Sequence, residues 1–137
     1  MKYPTVNEIK TKNLKNNGDR LNARFSINIK HWDLSELGIY TKSRNTKSDG
    51  HFHKGENKSR DPEHVYVITG SIKMLFEDLY GNKREEIVKG GELLITPAWI
   101  YHSYEVLEDL VLLEPREVSY KDIPDTYDHN EFSNTKT

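Results

Sequence analysis

Gly50-His51-Phe52-His53, followed further along by Glu63-His64-Val65-Tyr66-Val67-Ile68-Thr69-Gly70, is the stretch on which the fold of this chain turns. Residues two apart on a strand share a face, so His51 and His53 present two imidazoles to one side while Phe52 points to the other. Glu63 opens a run of Val, Tyr, Ile and Thr, the residue types that fill strands. His102 lies in a later run, Ile100-Tyr101-His102-Ser103-Tyr104, and the four side chains can converge inside a closed sheet. Three neutral imidazoles and a carboxylate suit one divalent transition metal (Mn, Fe, Ni, Co or Zn) and leave positions open for water or substrate. By the same alternation Tyr104 shares the face of His102, and Val65, Val67 and Thr69 share that of Glu63. Tyr104 is then a hydrogen-bond donor or acid/base group beside the site, or else a core tyrosine with a satisfied hydroxyl. His64 faces away from Glu63, and together with His31 and His129 it reads as a surface or packed residue.

Outward from this stretch, short β-type runs separated by turn signals fill the centre of the chain. Ser26–Ile29, Leu37–Thr41, His64–Thr69, Ile72–Phe76, Arg84–Val88, Leu93–Thr96, Ser103–Leu107 and Leu110–Glu114 are expected strands. Gly70-Ser71, Tyr80-Gly81-Asn82, Gly90-Gly91 and Glu108-Asp109 are expected reversals. Many short strands at regular spacing predict an all-β sandwich or barrel. Thr5-Val6-Asn7-Glu8 has the pattern of a capping box for one short helix, and the polar tail from Ser119 reads as loose or partner-stabilised.

These motifs resemble the cupin superfamily. The first cupin motif, G-x5-H-x-H-x3-4-E-x6-G, is matched by His51, His53, Glu63 and Gly70; the second, G-x5-P-x-G-x2-H-x3-N, by Gly91, Pro97 and His102. Four departures stand out: Gly50 directly precedes His51, so the first motif's opening glycine is displaced; nine residues separate His53 from Glu63; Trp99 replaces the second motif's inner glycine; and Val106 replaces its asparagine. The surplus residues, within KGENKSRDP, read as a polar surface loop. The resemblance implies a small single-domain metal cupin with an RmlC-like jelly roll, an all-β barrel with little helix. Its expected parts are an N-terminal arm (1–20), the barrel (21–118) and a polar tail (119–137). It further implies His51, His53, Glu63 and His102 as metal ligands, and a homodimer to which the N-terminal stretch could lend a pairing strand.

Composition narrows the partners. With 137 residues, one core is expected. No cysteine is present, so neither disulfides nor thiolate ligands are available. No apolar run approaches the roughly 20 residues of a membrane span, and the N-terminus has no hydrophobic signal segment; a cytoplasmic protein without membrane contact is expected. Thirteen basic residues fall within 1–60 and seven within 61–137, but they form no stripe with aromatics, which argues against nucleic acid. Lys42, Arg44, Lys47, Lys54, Lys58 and Arg60 flank the histidine pair. Folded over a barrel mouth they would attract a phosphate or carboxylate substrate; otherwise they are a solvated face.

The expected function is a sugar or sugar-phosphate isomerase or epimerase working through the metal on a small molecule, with Glu63 or Tyr104 moving the proton. Gly50-His51-Phe52-His53 is similar to cupin-type phosphoglucose isomerases, and Pro62–Gly70 to cupin-type phosphomannose isomerases. An iron-dependent dioxygenase of a small carboxylate or aromatic compound, and a non-catalytic ligand-binding module, are the alternatives.

Overall fold

The computed structural model describes residues 2–13 and 35–136; the expected strand Ser26–Ile29 and His31 lie outside them. Among the described residues six strands carry the fold: β1 (Lys10–Asn13), β2 (Glu36–Lys42), β3 (Glu63–Glu77), β4 (Lys83–Lys89), β5 (Glu92–Thr96) and β6 (Tyr101–Arg116). Every pairing is antiparallel, in the order β1-β5-β3-β6-β2, with β4 on β3. No helix among the described residues is long and apolar enough to cross a membrane.

Two expected reversals are bends instead. Gly70-Ser71 does not end a strand, and neither does Glu108-Asp109; β3 and β6 run through them as one long pair, from Tyr66↔Leu113 to Glu77↔Tyr101. The register slips between Val67 and Ile72, where Ser71 faces Glu108 and donates its hydroxyl to the Glu108 carboxylate at 2.9 Å. Gly70 has φ +89°, and a β-carbon there would lie 2.9 Å from the Asp109 carbonyl carbon and closer still to its oxygen. Only glycine fits that crossing. The slip also reverses the alternation of β3. Val65 and Val67 face inward with Glu63, but beyond the bend Ile72, Met74 and Phe76 do, and Thr69 is exposed rather than inward.

Bending lets each long strand serve two partners. The first half of β3 pairs with β5 and the second with β4, while the second half of β6 pairs with β2. The inward faces enclose a core of Val67, Ile72, Met74, Phe76, Val88, Leu94, Val106, Leu110 and Leu112. The reversals at Tyr80-Gly81-Asn82 and Gly90-Gly91 join β3 to β4 and β4 to β5 as expected.

Both ends of the chain are built in. Glu8 accepts from the Thr5 backbone N–H at 2.6 Å and starts a 3-10 turn at Val6–Glu8, after which β1 covers the β5 edge of its own sheet. The tail is not loose. It ends in a helix, α1 (His129–Thr135), capped by Asp128 accepting from the Glu131 N–H at 3.0 Å. Its Phe132 is fully buried with Phe52 and Leu79, flanked by Trp99, Tyr101 and Tyr127, in a second apolar cluster.

Candidate functional site

The backbone of residues 51–53 is held on three sides. His51 pairs with His102 through N–H···O bonds of 3.0 and 2.9 Å, Phe52 pairs with Tyr127 through two of 3.0 Å, and the His53 carbonyl accepts from Trp99 N–H at 2.7 Å. Gly50, at φ +90°, passes so close to Tyr101 and His102 that a β-carbon would meet the Tyr101 hydroxyl at 2.6 Å. Phe52 is thereby driven into the second apolar cluster, and the flanking histidines turn the other way.

The three imidazoles converge. A ring nitrogen of each of His51, His53 and His102 lies within 4.8 Å of the others, and the group could hold a metal ion. His53 Nδ1 donates to the Asp125 carbonyl at 2.7 Å and His102 Nδ1 to the Ile100 carbonyl at 3.0 Å. Each such bond leaves the lone pair on Nε2, facing the cluster, which is the tautomer a ligand needs. Burial pushes His51 down to about 3, helped by its two histidine neighbours, and His102 down to about 4 against the pull of Glu63. Both rings are therefore neutral donors at pH 7.

Glu63 reaches the cluster. Its Oε2 lies 3.3 Å from His53 Nε2 and its Oε1 3.9 Å from His102 Nε2. It also pairs with the buried guanidinium of Arg60, a partner invisible in the linear motif. Burial opposes its ionisation, yet His53, His102 and Arg60 hold it well below the ordinary carboxylate range. Of these, only the guanidinium is permanently charged. His53 Nε2 and Arg60 Nε are buried without a hydrogen-bond partner. An orphaned imidazole nitrogen beside a carboxylate and two more imidazoles fits a nitrogen- and oxygen-ligated cation.

The residues between His53 and Glu63 are a surface loop only in part: Glu56, Lys58, Asp61 and Pro62 are exposed, but two side chains turn inward. Asn57 is fully buried, its amide donating to the carbonyls of Val118 (3.2 Å) and Ile123 (2.8 Å). The insertion tucks under the C-terminal segment and delivers Arg60 to Glu63 through a 3-10 turn, Lys58–Arg60. The cationic cluster is accordingly dispersed. Lys54 pairs with Glu131 and Lys58 with Glu117, and of the six cations only Lys42 and Arg60 line the cavity.

That cavity, about 240 Å³, has an apolar floor of Val65, Val67, Ile72, Met74, Val88, Leu94 and Leu112. Its polar wall holds His51, His102, Glu63, Arg60, Lys42, Tyr104, Glu114 and Arg116. Tyr104 faces inward as expected, with Lys42 Nζ 5.3 Å from its ring centre. Glu114 escaped the sequence reading. Burial pushes its carboxyl up to about 7, with the charge of Glu63 adding and Arg116 opposing. The signal was present: Glu114 shares the inward parity of Leu110 and Leu112 on an expected strand. His64 and His129 do not join the cluster.

No protein-family model matches the chain, and no curated protein does. Solved structures do. The sugar 3,4-ketoisomerase QdtA of Thermoanaerobacterium thermosaccharolyticum in complex with TDP is similar at a TM-score of 0.70 and 15% identity, over 96% of each chain. A mutant of the same enzyme was solved with TDP-4-keto-6-deoxyglucose. The dTDP-4-dehydrorhamnose 3,5-epimerase of Sulfolobus tokodaii is similar at 0.52 and 14% identity, over 68% of this chain and 56% of that one. An oxalate decarboxylase of Bacillus subtilis with Mn(II) centres is similar at 0.55 and 21% identity, over 70% of this chain and 24% of that one. The chain therefore has the cupin fold, an RmlC-like all-β jelly roll, with a three-histidine cluster inside the barrel.

Proposed function

We propose that this protein is an isomerase or epimerase of a sugar carried on a phosphate or nucleotide, working with a divalent metal held by His51, His53 and His102, with Glu63 beside them. The observation that carries the reading is the convergence of these four side chains, of which His51, Glu63 and His102 line a partly open cavity of about 240 Å³ whose wall also bears Tyr104 and Glu114. Likeness to a sugar ketoisomerase over nearly the whole of both chains supports it.

Shifting a carbonyl to its neighbour moves one proton from the carbinol carbon to the former carbonyl carbon, through an enediol, while the hydroxyl proton passes from the carbinol oxygen to the former carbonyl oxygen. When bound, the ion would polarise the carbonyl and acidify the adjacent C–H. Glu63, ionised and tied to Arg60, is a poor proton acceptor. Burial and the nearby Glu63 charge raise Glu114 even though it pairs with Arg116, so it suits the carbon proton better than Glu63 does, and the Tyr104 hydroxyl suits the substrate oxygen. Lys42 and Arg60 would face the anionic part of the substrate. A homodimer belongs to the same reading: Leu37 and Ile39 lie exposed on β2, at the end of the strand order.

The test is proton exchange in D2O on Mn-, Co- or Zn-loaded protein with TDP-4-keto-6-deoxyglucose and a panel of aldose and ketose phosphates. Deuterium should enter beside the carbonyl, and Glu114→Gln should slow this on the order of a hundredfold. Absence of exchange with every substrate would reject the reading. The Mn(II) centres of a structural neighbour keep metal-dependent carboxylate chemistry as the second reading. Iron as the ion retained after anaerobic purification would favour the dioxygenase form of it.

A further inference from the structure

Asp125 is buried at φ +45°, in the left-handed region that non-glycine residues seldom enter. Its carboxylate accepts three backbone N–H groups: Lys54 at 2.8 Å, Gly55 at 3.0 Å and Asn57 at 3.0 Å. Its carbonyl accepts His53 Nδ1–H at 2.7 Å. One residue of the C-terminal segment thus holds a candidate ligand and the first turn of the insertion behind it. Through Asn57 the same grip extends to the turn that carries Arg60 to Glu63. Beyond Asp125 the segment is anchored twice more, by the Phe52–Tyr127 backbone pair before α1 and by Phe132, whose ring lies 5.2 Å from that of Phe52.

We propose that Asp125 is a positioning residue for the histidine site: it fixes the tautomer and direction of the His53 ring and sets the place of Arg60 beside Glu63. The inference rests on the reading of His51, His53 and His102 as the functional centre. Its physical core is the left-handed turn. That backbone conformation aims the carbonyl at the ring, and three charge-assisted bonds from the 54–57 backbone hold the turn in place. Without the carboxylate the carbonyl remains, but nothing fixes its distance from Nδ1. The ring is then free to exchange tautomers and to withdraw the Nε2 lone pair from the cluster. Aspartate and asparagine both tolerate this backbone region, so Asp125→Asn is the conservative variant.

The experiment compares wild type, Asp125→Ala and Asp125→Asn by two readouts. One is the long-range 1H–15N NMR pattern of the His53 ring, which reports the tautomer without metal or turnover. The other is Co(II) binding followed by its visible absorption. Wild type should show a single Nδ1–H tautomer at His53. Asp125→Ala should show a mixed one and bind Co(II) ten- to a hundredfold more weakly, the usual cost of losing the partner behind a ligand. Asp125→Asn keeps an acceptor for the Gly55 and Asn57 N–H groups but sets its NH2 against Lys54 N–H, so its tautomer and affinity should fall between those of wild type and Asp125→Ala. An unchanged tautomer and Co(II) affinity in Asp125→Ala, with only the melting temperature lowered, would overturn the proposal and leave Asp125 a structural residue. Should wild type bind no Co(II), the metal reading fails by itself, and the NMR comparison still decides on the clamp. If Asp125→Ala does not fold, Asp125→Gly, which removes the carboxylate and tolerates the left-handed backbone, takes its place: a loosened His53 tautomer supports the clamp, and an unchanged one overturns it.

Discussion

Acid stability offers the sharpest test of the site's electrostatics, because three of its titratable groups pull in opposite directions. His51 and His102 titrate near 3 and 4 in the fold against an ordinary 6.5, so below 6.5 the unfolded chain takes up two protons that the folded chain refuses. Stability from these groups is complete above 6.5 and drains away as the pH falls towards 4. Glu114 does the reverse. Raised to about 7 from 4.5, it is protonated in the fold and ionised in the unfolded chain across that window, so it stabilises as the pH falls. Between pH 4.5 and 6.5 the net of the three is one extra proton on the unfolded chain, worth about 1.4 kcal/mol per pH unit, or about 3 kcal/mol across the window. Glu114→Gln removes the offset, and the loss should double to about 5–6 kcal/mol. His102→Gln removes one proton of uptake and should leave the profile nearly flat. The assay is urea unfolding of chelator-treated protein at half-unit pH steps, and differences between variants cancel the contributions of other groups. Equal slopes in wild type and Glu114→Gln would refute the reasoning, since they would mean that Glu114 is ionised in the fold like any surface carboxylate.

Two further predictions address the frame. Gly70→Ala places a β-carbon against the Asp109 carbonyl at φ +89° and should destabilise by about 3 kcal/mol or more, read by urea unfolding; a neutral result would mean that β3 does not bend against β6 there. Phe132→Ala empties a fully buried site and should cost about 3–5 kcal/mol, with proteolysis near residues 119–136 appearing first; a loss under about 1 kcal/mol would mean the helix is not docked.

The parts of the fold and site that could be read from the chain are those set by nearest neighbours along a strand. The parity of His51 and His53, the burial of Phe52 between them, and the inward direction of Tyr104 all follow from period-two alternation. The long strands could not be read this way. Gly70-Ser71 and Glu108-Asp109 have the chemistry of turns, and in one dimension a bend in a paired strand looks the same as a reversal. They differ only when the two sites are known to face each other, as Ser71 and Glu108 do. Thr69 was misplaced for the same reason: alternation holds up to a bulge and inverts past it. Glu114 is the opposite case: strand parity points it inward, whereas a charged side chain is ordinarily expected at the surface.

The insertion between His53 and Glu63 is instructive for a different reason. Its polarity pointed to solvent, by the rule that polar segments lie outside. Yet Asn57 and Arg60 are among the most buried polar residues of the described chain. Each side chain there answers a backbone or side-chain group that would otherwise be orphaned: Asn57 serves Val118, Ile123 and Ser59, and Ser59 Oγ accepts from Glu117 and Val118 N–H at 2.8 and 3.0 Å. Irregular backbone cannot satisfy itself as a sheet does, so a buried loop must be polar. Polarity therefore marks an exposed loop only when no distant segment needs its hydrogen bonds. Here the segment that needs them is the C-terminal one, some sixty residues on by sequence separation. The same exchange brings a guanidinium to Glu63, so the departure from the motif's spacing supplies the site with a charge that the shorter spacing would leave out.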